Sequence, residues 1–391
     1  MKYGLIISSV VVAVLSIWIY LIPSPLDPRP HVFEKPPTLV GALEANTVLE
    51  NVVKAFEGKI IGPESFAGDN EGNLYTGTWD GKIWKISTDG FASVLARTGI
   101  DHPDCGRSYD LEPLCGRVKG MKVDKNGDLF AVDCYKGLFK IHLPSGEIEN
   151  ILAEGNGVDG KSFTFLNSLD ISDDGIVYFS ESSSKWTRRD AKLEVIETNN
   201  FGRILAYDPV KNSSWTVADE LYMANGIALS PDNSFLLINE MNRNRITRLY
   251  LKGPKTGMRE IFLDNVPGYP DNIKLTPHGT YYIGLLVTRF SSTTGLKKYT
   301  RPFLDLIAPY PAIKRFIAKV TPMFVYNVFL PAHSYFIEVD SNGNIINSFH
   351  DPSGLVIKGG MTEAFLYNGK VYLGHHETPF IGVLDAQHVL N

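Results

Sequence analysis

Oxygen-bearing side chains recur at one position of a repeated pattern in this chain. A short turn-and-strand unit aligns six times, starting at Asp69 (DNEGNLY), Asp124 (DKNGDLF), Ser172 (SDDGIVY), Ser230 (SPDNSFL), Thr276 (TPHGTYY) and Leu366 (LYNGKVY). Five residues before these starts stand Glu64, Lys119, Asn167, Asn225, Asp271 and Met361. Four of the six carry an oxygen donor, and Asn272 beside Asp271 adds another. Two carboxylates and three amides suit a hard dication: Ca²⁺ takes about six to eight oxygens, and Glu64 with Asp271 balances its charge. With no His or Cys in the set, zinc and iron are poor matches. Taken singly, each Asn or Asp is also what a turn or strand start asks for. Their coincidence is what points to metal, so Glu64, Asn167, Asn225, Asp271 and Asn272 are the expected calcium ligands. Bound calcium polarises a carbonyl and acidifies a water, which brings esters and lactones within reach if a proton acceptor is nearby. Candidates for that catalytic role are Lys119, Glu363 and His375 of the pair His375-His376, histidine being the better base near neutral pH. Lys119 reads equally well as a counter-ion to Glu64, and the His pair as surface residues beyond the last inner strand.

Bringing residues so far apart in sequence to one point takes an architecture with an axis. The six starts are separated by 55, 48, 58, 46 and 90 residues, with short strands bounded by Gly, Asn and Asp between them. That spacing predicts an all-β, six-bladed β-propeller with one long insertion, in which the innermost strands converge on the centre. The propeller is expected over 46–391, the insertion at about 289–330. Within the insertion, "RPFLDLIAPYPAIKRFIAKVTPMFV" mixes apolar residues with Lys314, Arg315 and Lys319, so it reads either as a lid over the pocket or as a membrane-docking segment.

The N-terminus has a different character. Gly4–Ile22 is nineteen residues without a charge, which as a helix spans roughly the 30 Å of a hydrocarbon core. No small-x-small cleavage site follows it, so residues 1–22 are expected to be an uncleaved signal-anchor transmembrane helix and 23–45 a linker. Cys105 and Cys115 bracket a closable loop and are expected to form a disulfide, Cys134 remaining a buried small hydrophobe. The sequon Asn212-Ser213-Ser214 is a candidate glycosylation site. These features place the propeller in the lumen of the endoplasmic reticulum or at the cell surface. A net charge of -5, spread without a basic block, argues against a nucleic-acid partner.

Four longer stretches carry a family resemblance: "CGRVKGMKVDKNGDLFAVDCYKGLFKI", "FLNSLDISDDGIVYFSESSSKWTRRD", "ANGIALSPDNSFLLI" and "GYPDNIKL". In this order they resemble the strictosidine-synthase-like family, its animal branch most closely, over most of the chain. The resemblance implies a six-bladed propeller ectodomain with kinship to the calcium-dependent paraoxonases and the gluconolactonases. The paraoxonase calcium ligands fall by motif on Glu64, Asn167, Asn225, Asp271 and Asn272. Where paraoxonases carry a His dyad, this chain has Lys119 and Cys134. The pocket glutamate of the plant synthases falls near Glu363. The expected function is thus a calcium-binding hydrolase of aryl-ester or lactone type. The alternatives are an adhesion ectodomain with structural calcium and a strictosidine-synthase-like lyase.

Overall fold

The computed structural model describes residues 21–291, 299–300, 303–321 and 331–390. Most of the expected membrane segment Gly4–Ile22 and parts of the 289–330 insertion lie outside them. Among the described residues, no helix is long and apolar enough to cross a membrane.

Six four-stranded antiparallel sheets form the blades of a propeller. The first five take their strands in chain order from the innermost outward, beginning at Phe66–Gly68, Val118–Val123, Phe165–Ile171, Ala224–Leu229 and Gly268–Leu275. The sixth begins at Glu363–Tyr367 and is completed on its outer edge by Val53–Ala55, which pairs with Ile381–Asp385. This pairing of the two ends of the chain closes the ring and leaves no open seam between the first and last blades. Each repeated turn joins an inner strand to the next strand outward. The 90-residue spacing is explained by the fifth blade, whose second and third strands, Tyr281–Thr288 and Ser334–Val339, are separated by the insertion.

The strands alternate little between apolar and polar because both faces of every blade are covered by neighbouring blades. Separate apolar clusters accordingly fill the gaps between blades, for example Leu237, Ile283, Tyr335 and Ile337 in one and Phe130, Leu166, Phe179 and Leu205 in another. The disulfide Cys105–Cys115 is formed, with Cα atoms 5.6 Å apart, and Cys134 is a free, buried thiol.

Candidate functional site

The side chains that meet at the axis are delivered by a repeated irregularity. In the second to fifth blades the ladder between the first two strands skips two residues of the inner strand against one of its partner. The skipped pairs are Lys119-Gly120, Asn167-Ser168, Asn225-Gly226 and Asp271-Asn272. A bulge of this kind re-aims a side chain that would otherwise lie on a blade face. The second residue of three of the pairs, Gly120, Ser168 and Gly226, is small, and at the two glycines neighbouring inner strands nearly touch. A Cβ on Gly226 would fall 2.5 Å from Asn272 Cα, and one on Gly120 2.5 Å from Ser168 Cα.

Glu64, Asn167, Asn225, Asp271 and Asn272 are all buried around the axis. Their polar groups are arranged asymmetrically. Asn167 Nδ2 donates to Ser182 Oγ at 2.9 Å, Asn225 Nδ2 to Met241 Sδ at 3.5 Å, and Asn272 Nδ2 to the Glu64 carbonyl at 3.4 Å. The oxygens Asn167 Oδ1, Asn225 Oδ1 and Asp271 Oδ1 are buried and accept no hydrogen bond. Buried polar atoms are usually paired, and three oxygens sharing the defect around one axis are donors of the kind a hard cation would take. Among the described residues, no group of three His, Cys, Asp or Glu side chains is placed to hold a metal.

Two cations contest the charge. Lys119 Nζ is in direct contact with Glu64 Oε1, and Arg117, fully buried, approaches Glu64 Oε2 at 3.6 Å. Of the alternatives open for Lys119, the counter-ion arrangement is the one present. Burial pulls the Lys119 ammonium down to about 8 against the attraction of Asp271. Burial likewise pushes the Asp271 carboxyl up to about 6, opposed chiefly by Lys119. The donors fit a calcium ion, with the Lys119 ammonium as the group it must displace from Glu64. Arg117 was missed by the repeat argument because it lies two residues before Lys119, outside the aligned position. It also fastens the last blade to the second, donating to the carbonyls of Gly62 at 3.0 Å and His376 at 3.3 Å.

Above these residues opens a cavity of about 310 Å³. Lys119, Asn167, Asn225 and Asp271 line its floor, and its walls are apolar, with Phe165, Met223, Met241, Tyr269, Leu286 and Leu304. The roof comes from segments outside the blades: the helix Ala191–Glu197, the insertion, and the loop closed by the disulfide. That loop holds Tyr109 at the rim, where its ring meets Trp79 at 5.1 Å and its hydroxyl donates to Glu377 Oε1 at 2.5 Å.

His375 and His376 are cavity residues rather than surface ones, stacked with centroids 4.5 Å apart. Burial drives His375 down to about 4, so it is neutral near pH 7. Its Nδ1 accepts the Glu377 N–H at 3.1 Å, which puts the proton of the neutral ring on Nε2. In that tautomer His375 is a hydrogen-bond donor and not the expected base. Glu363 is not among the cavity's lining residues. Its carboxylate accepts from Ser65 Oγ at 2.8 Å and Phe66 N at 2.7 Å, and Lys274 lies 3.5 Å away, so it ties the sixth blade to the first. Cys134 is fully buried and its thiol is pushed up to about 12 by that burial, which makes it inert.

Comparison with known proteins agrees with this architecture. Residues 167–254 match the strictosidine synthase family, and residues 41–86 match the strictosidine synthase-like N-terminal family. Adipocyte plasma membrane-associated proteins are similar along nearly the whole chain. The chicken protein is 38% identical, covering 94% of this chain and 86% of its own length, and the human protein is 37% identical with the same coverage. Hemomucin of Drosophila melanogaster is 32% identical over 82% of this chain and 58% of its own. Among solved structures, a gluconolactonase from Xanthomonas campestris superposes with a TM-score of 0.55 at 16% identity, covering 93% of this chain and 99% of its own. The calcium-binding protein regucalcin from Agrobacterium tumefaciens reaches 0.53 at 12% identity, covering 85% and 92%. These structures share the fold, while the sequence relatives show that the chain belongs to the strictosidine synthase-like family alongside the adipocyte plasma membrane-associated proteins.

Proposed function

We propose that this chain is a membrane-anchored, extracytoplasmic propeller that hydrolyses esters or lactones with an apolar body at its axial cavity, with calcium held by Glu64, Asn167, Asn225, Asp271 and Asn272. One observation carries the reading: Asn167, Asn225 and Asp271, each with an unpartnered buried oxygen, line the floor of an apolar cavity that also holds Lys119 and His375. Calcium bound there supplies a Lewis acid for the substrate carbonyl. The chain's own residues do the rest. The apolar walls bind the substrate body and exclude water, and the His375 Nε2–H, aimed by the Glu377 amide, donates to the oxygen that gains charge. Lys119 is the amine nearest that oxygen set; with its proton lost it accepts one from the attacking water. Membrane attachment through Gly4–Ile22 is supported by the length of that apolar run and by relatives named as plasma membrane-associated.

A second reading has its own observation. Glu64 is flanked by Lys119 and Arg117, so the charges of the axis balance without metal, as in a purely structural core of a binding ectodomain. A lyase of the plant type is not favoured, since Glu363 is occupied by its contacts with Ser65, Phe66 and Lys274. The test uses the full-length protein in nanodiscs, its metal content measured and phenyl acetate and simple lactones offered with and without chelator. The gluconolactonase that shares the fold makes a lactone the first substrate to try. Turnover that chelator abolishes and calcium restores is expected. Lys119→Met should remove that turnover while tightening calcium binding. A metal-free protein without hydrolysis, unchanged by Lys119→Met, establishes the binding reading instead.

A further inference from the structure

The described helices of the insertion carry an exposed apolar face and buried charges. In Pro311–Val320, Ile313, Phe316 and Val320 fall on one face by helical spacing, and they are 43%, 52% and 39% exposed. Lys314, on another side of the same helix, is 1% exposed and donates to Thr198 Oγ1 at 3.1 Å. The preceding helix Phe303–Ile307 repeats the pattern. Its Asp305 is buried against Arg289, while Leu306 is 53% exposed and Tyr310 just beyond it 55%. A helix packed on a water-soluble domain turns its apolar stripe to the core and its charges outward. Here Asp305 and Lys314 are turned into the protein, while Leu306, Tyr310, Ile313, Phe316 and Val320 face away from it.

The N-terminal linker shows what lies on that side. It is fastened close to the insertion: Lys185 Nζ donates to the Pro25 carbonyl at 3.2 Å, Arg315 lies 3.3 Å from Asp27 Oδ1, and His31 N donates to the Ala308 carbonyl at 3.3 Å. Asp27 is five residues after Ile22, the end of the apolar run. Even fully extended, those residues span at most about 18 Å. A headgroup layer is about 5–8 Å thick. If Gly4–Ile22 crosses a bilayer, Asp27 and the helix beside it are therefore held within a few ångströms to about 13 Å of the headgroups.

We infer that Leu306, Tyr310, Ile313, Phe316 and Val320 form a docking face that enters the surface of the same bilayer in which the N-terminal run is anchored. This rests on the reading of Gly4–Ile22 as a membrane anchor. Leu304, on the same insertion, lines the cavity, so the docked face adjoins the cavity roof and an amphiphile has a short path from lipid to site.

The test places an environment-sensitive fluorophore on Phe316→Cys, and separately on Ile313→Cys, in the full-length chain in phosphatidylcholine nanodiscs. Cys134 is buried and does not compete for the label. Val210→Cys is the control, in an exposed turn between outer strands of the third blade on the face of the repeated turns. Blue-shifted emission quenched by lipid-borne quencher at 316 and 313, but not at 210, is expected in protein that an alkaline wash leaves on the nanodisc. Retained protein with a water-like probe at 313 and 316 overturns the docking face and leaves the anchor standing. Release by the alkaline wash overturns both. A shielded probe that lipid quencher does not reach means another protein surface covers the face, and overturns the inference as well.

Discussion

At the scale of single residues, the proposed calcium would have to compete at the axis with the protein's own cations. Glu64 and Asp271 supply the negative charge, Lys119 and Arg117 the internal positive charge, and the amides of Asn167 and Asn225 leave oxygens that the fold does not satisfy. Asp271 would give the proposed dication both charge and a donor oxygen, whereas Asn272 would give only a dipole. Asp271→Ala should therefore weaken calcium binding by about a hundredfold or more, on the scale of roughly 3 kcal/mol for breaking a buried charge pair. Asn272→Ala should cost only about tenfold. Calorimetric titration of the two variants checks the ranking, and equal effects would remove Asp271 from the ligand set. His375 shows how a residue's role turns on its second nitrogen. The same ring reads as a base in sequence and becomes a donor once the Glu377 amide occupies Nδ1.

At the scale of elements, the decisive device is the bulge repeated in four successive inner strands. It turns side chains of each of these strands toward the axis, and at Gly120 and Gly226 it leaves no room for a side chain beside the neighbouring inner strand. The disulfide loop is the other element tied to the site. Closing a loop between residues ten apart stabilises by up to about 3 kcal/mol in the chain-entropy model, and here it also sets Tyr109 against Trp79 and Glu377 at the cavity rim. Replacing both Cys105 and Cys115 by Ser should lower stability by about 2–3 kcal/mol. It should also loosen the rim, raising KM for any substrate more than it lowers kcat. Denaturant unfolding and steady-state kinetics on the same preparation check the two effects separately.

At the scale of the whole molecule, burial of histidines between blades and under the insertion sets the response to acid. His31, His333 and His375 are lowered to about 4 and His350 to about 3, each chiefly by burial. Their folded values lie below the unfolded value near 6.5, so they stay neutral in the fold where the unfolded chain takes up protons. Their contribution to stability is present above about pH 6.5 and is lost as pH falls toward 4. Glu194, raised to about 8, and Asp271, raised to about 6, both by burial, act in the opposite sense and offset part of the loss. The melting temperature should therefore fall between pH 6.5 and pH 4, with net proton uptake on unfolding, measured by scanning calorimetry across that range. The orientation of the molecule has its own test. Asn212 is exposed at a turn, so glycosidase-sensitive mass that disappears in Asn212→Gln is expected if the propeller is extracytoplasmic. The sequence by itself determined the blade number, the repeated turns, the closable cysteine pair and the residues converging on the axis, because a propeller writes its symmetry into a local period and a family motif. Only the tertiary structure decided that Lys119 sits on Glu64, that Arg117 joins them, that Glu363 is enclosed between blades, and that the insertion leaves Leu306, Ile313 and Phe316 exposed while burying Asp305 and Lys314. Those facts depend on which side chains from different blades come within a few ångströms of each other, and no local pattern of residues encodes such distances.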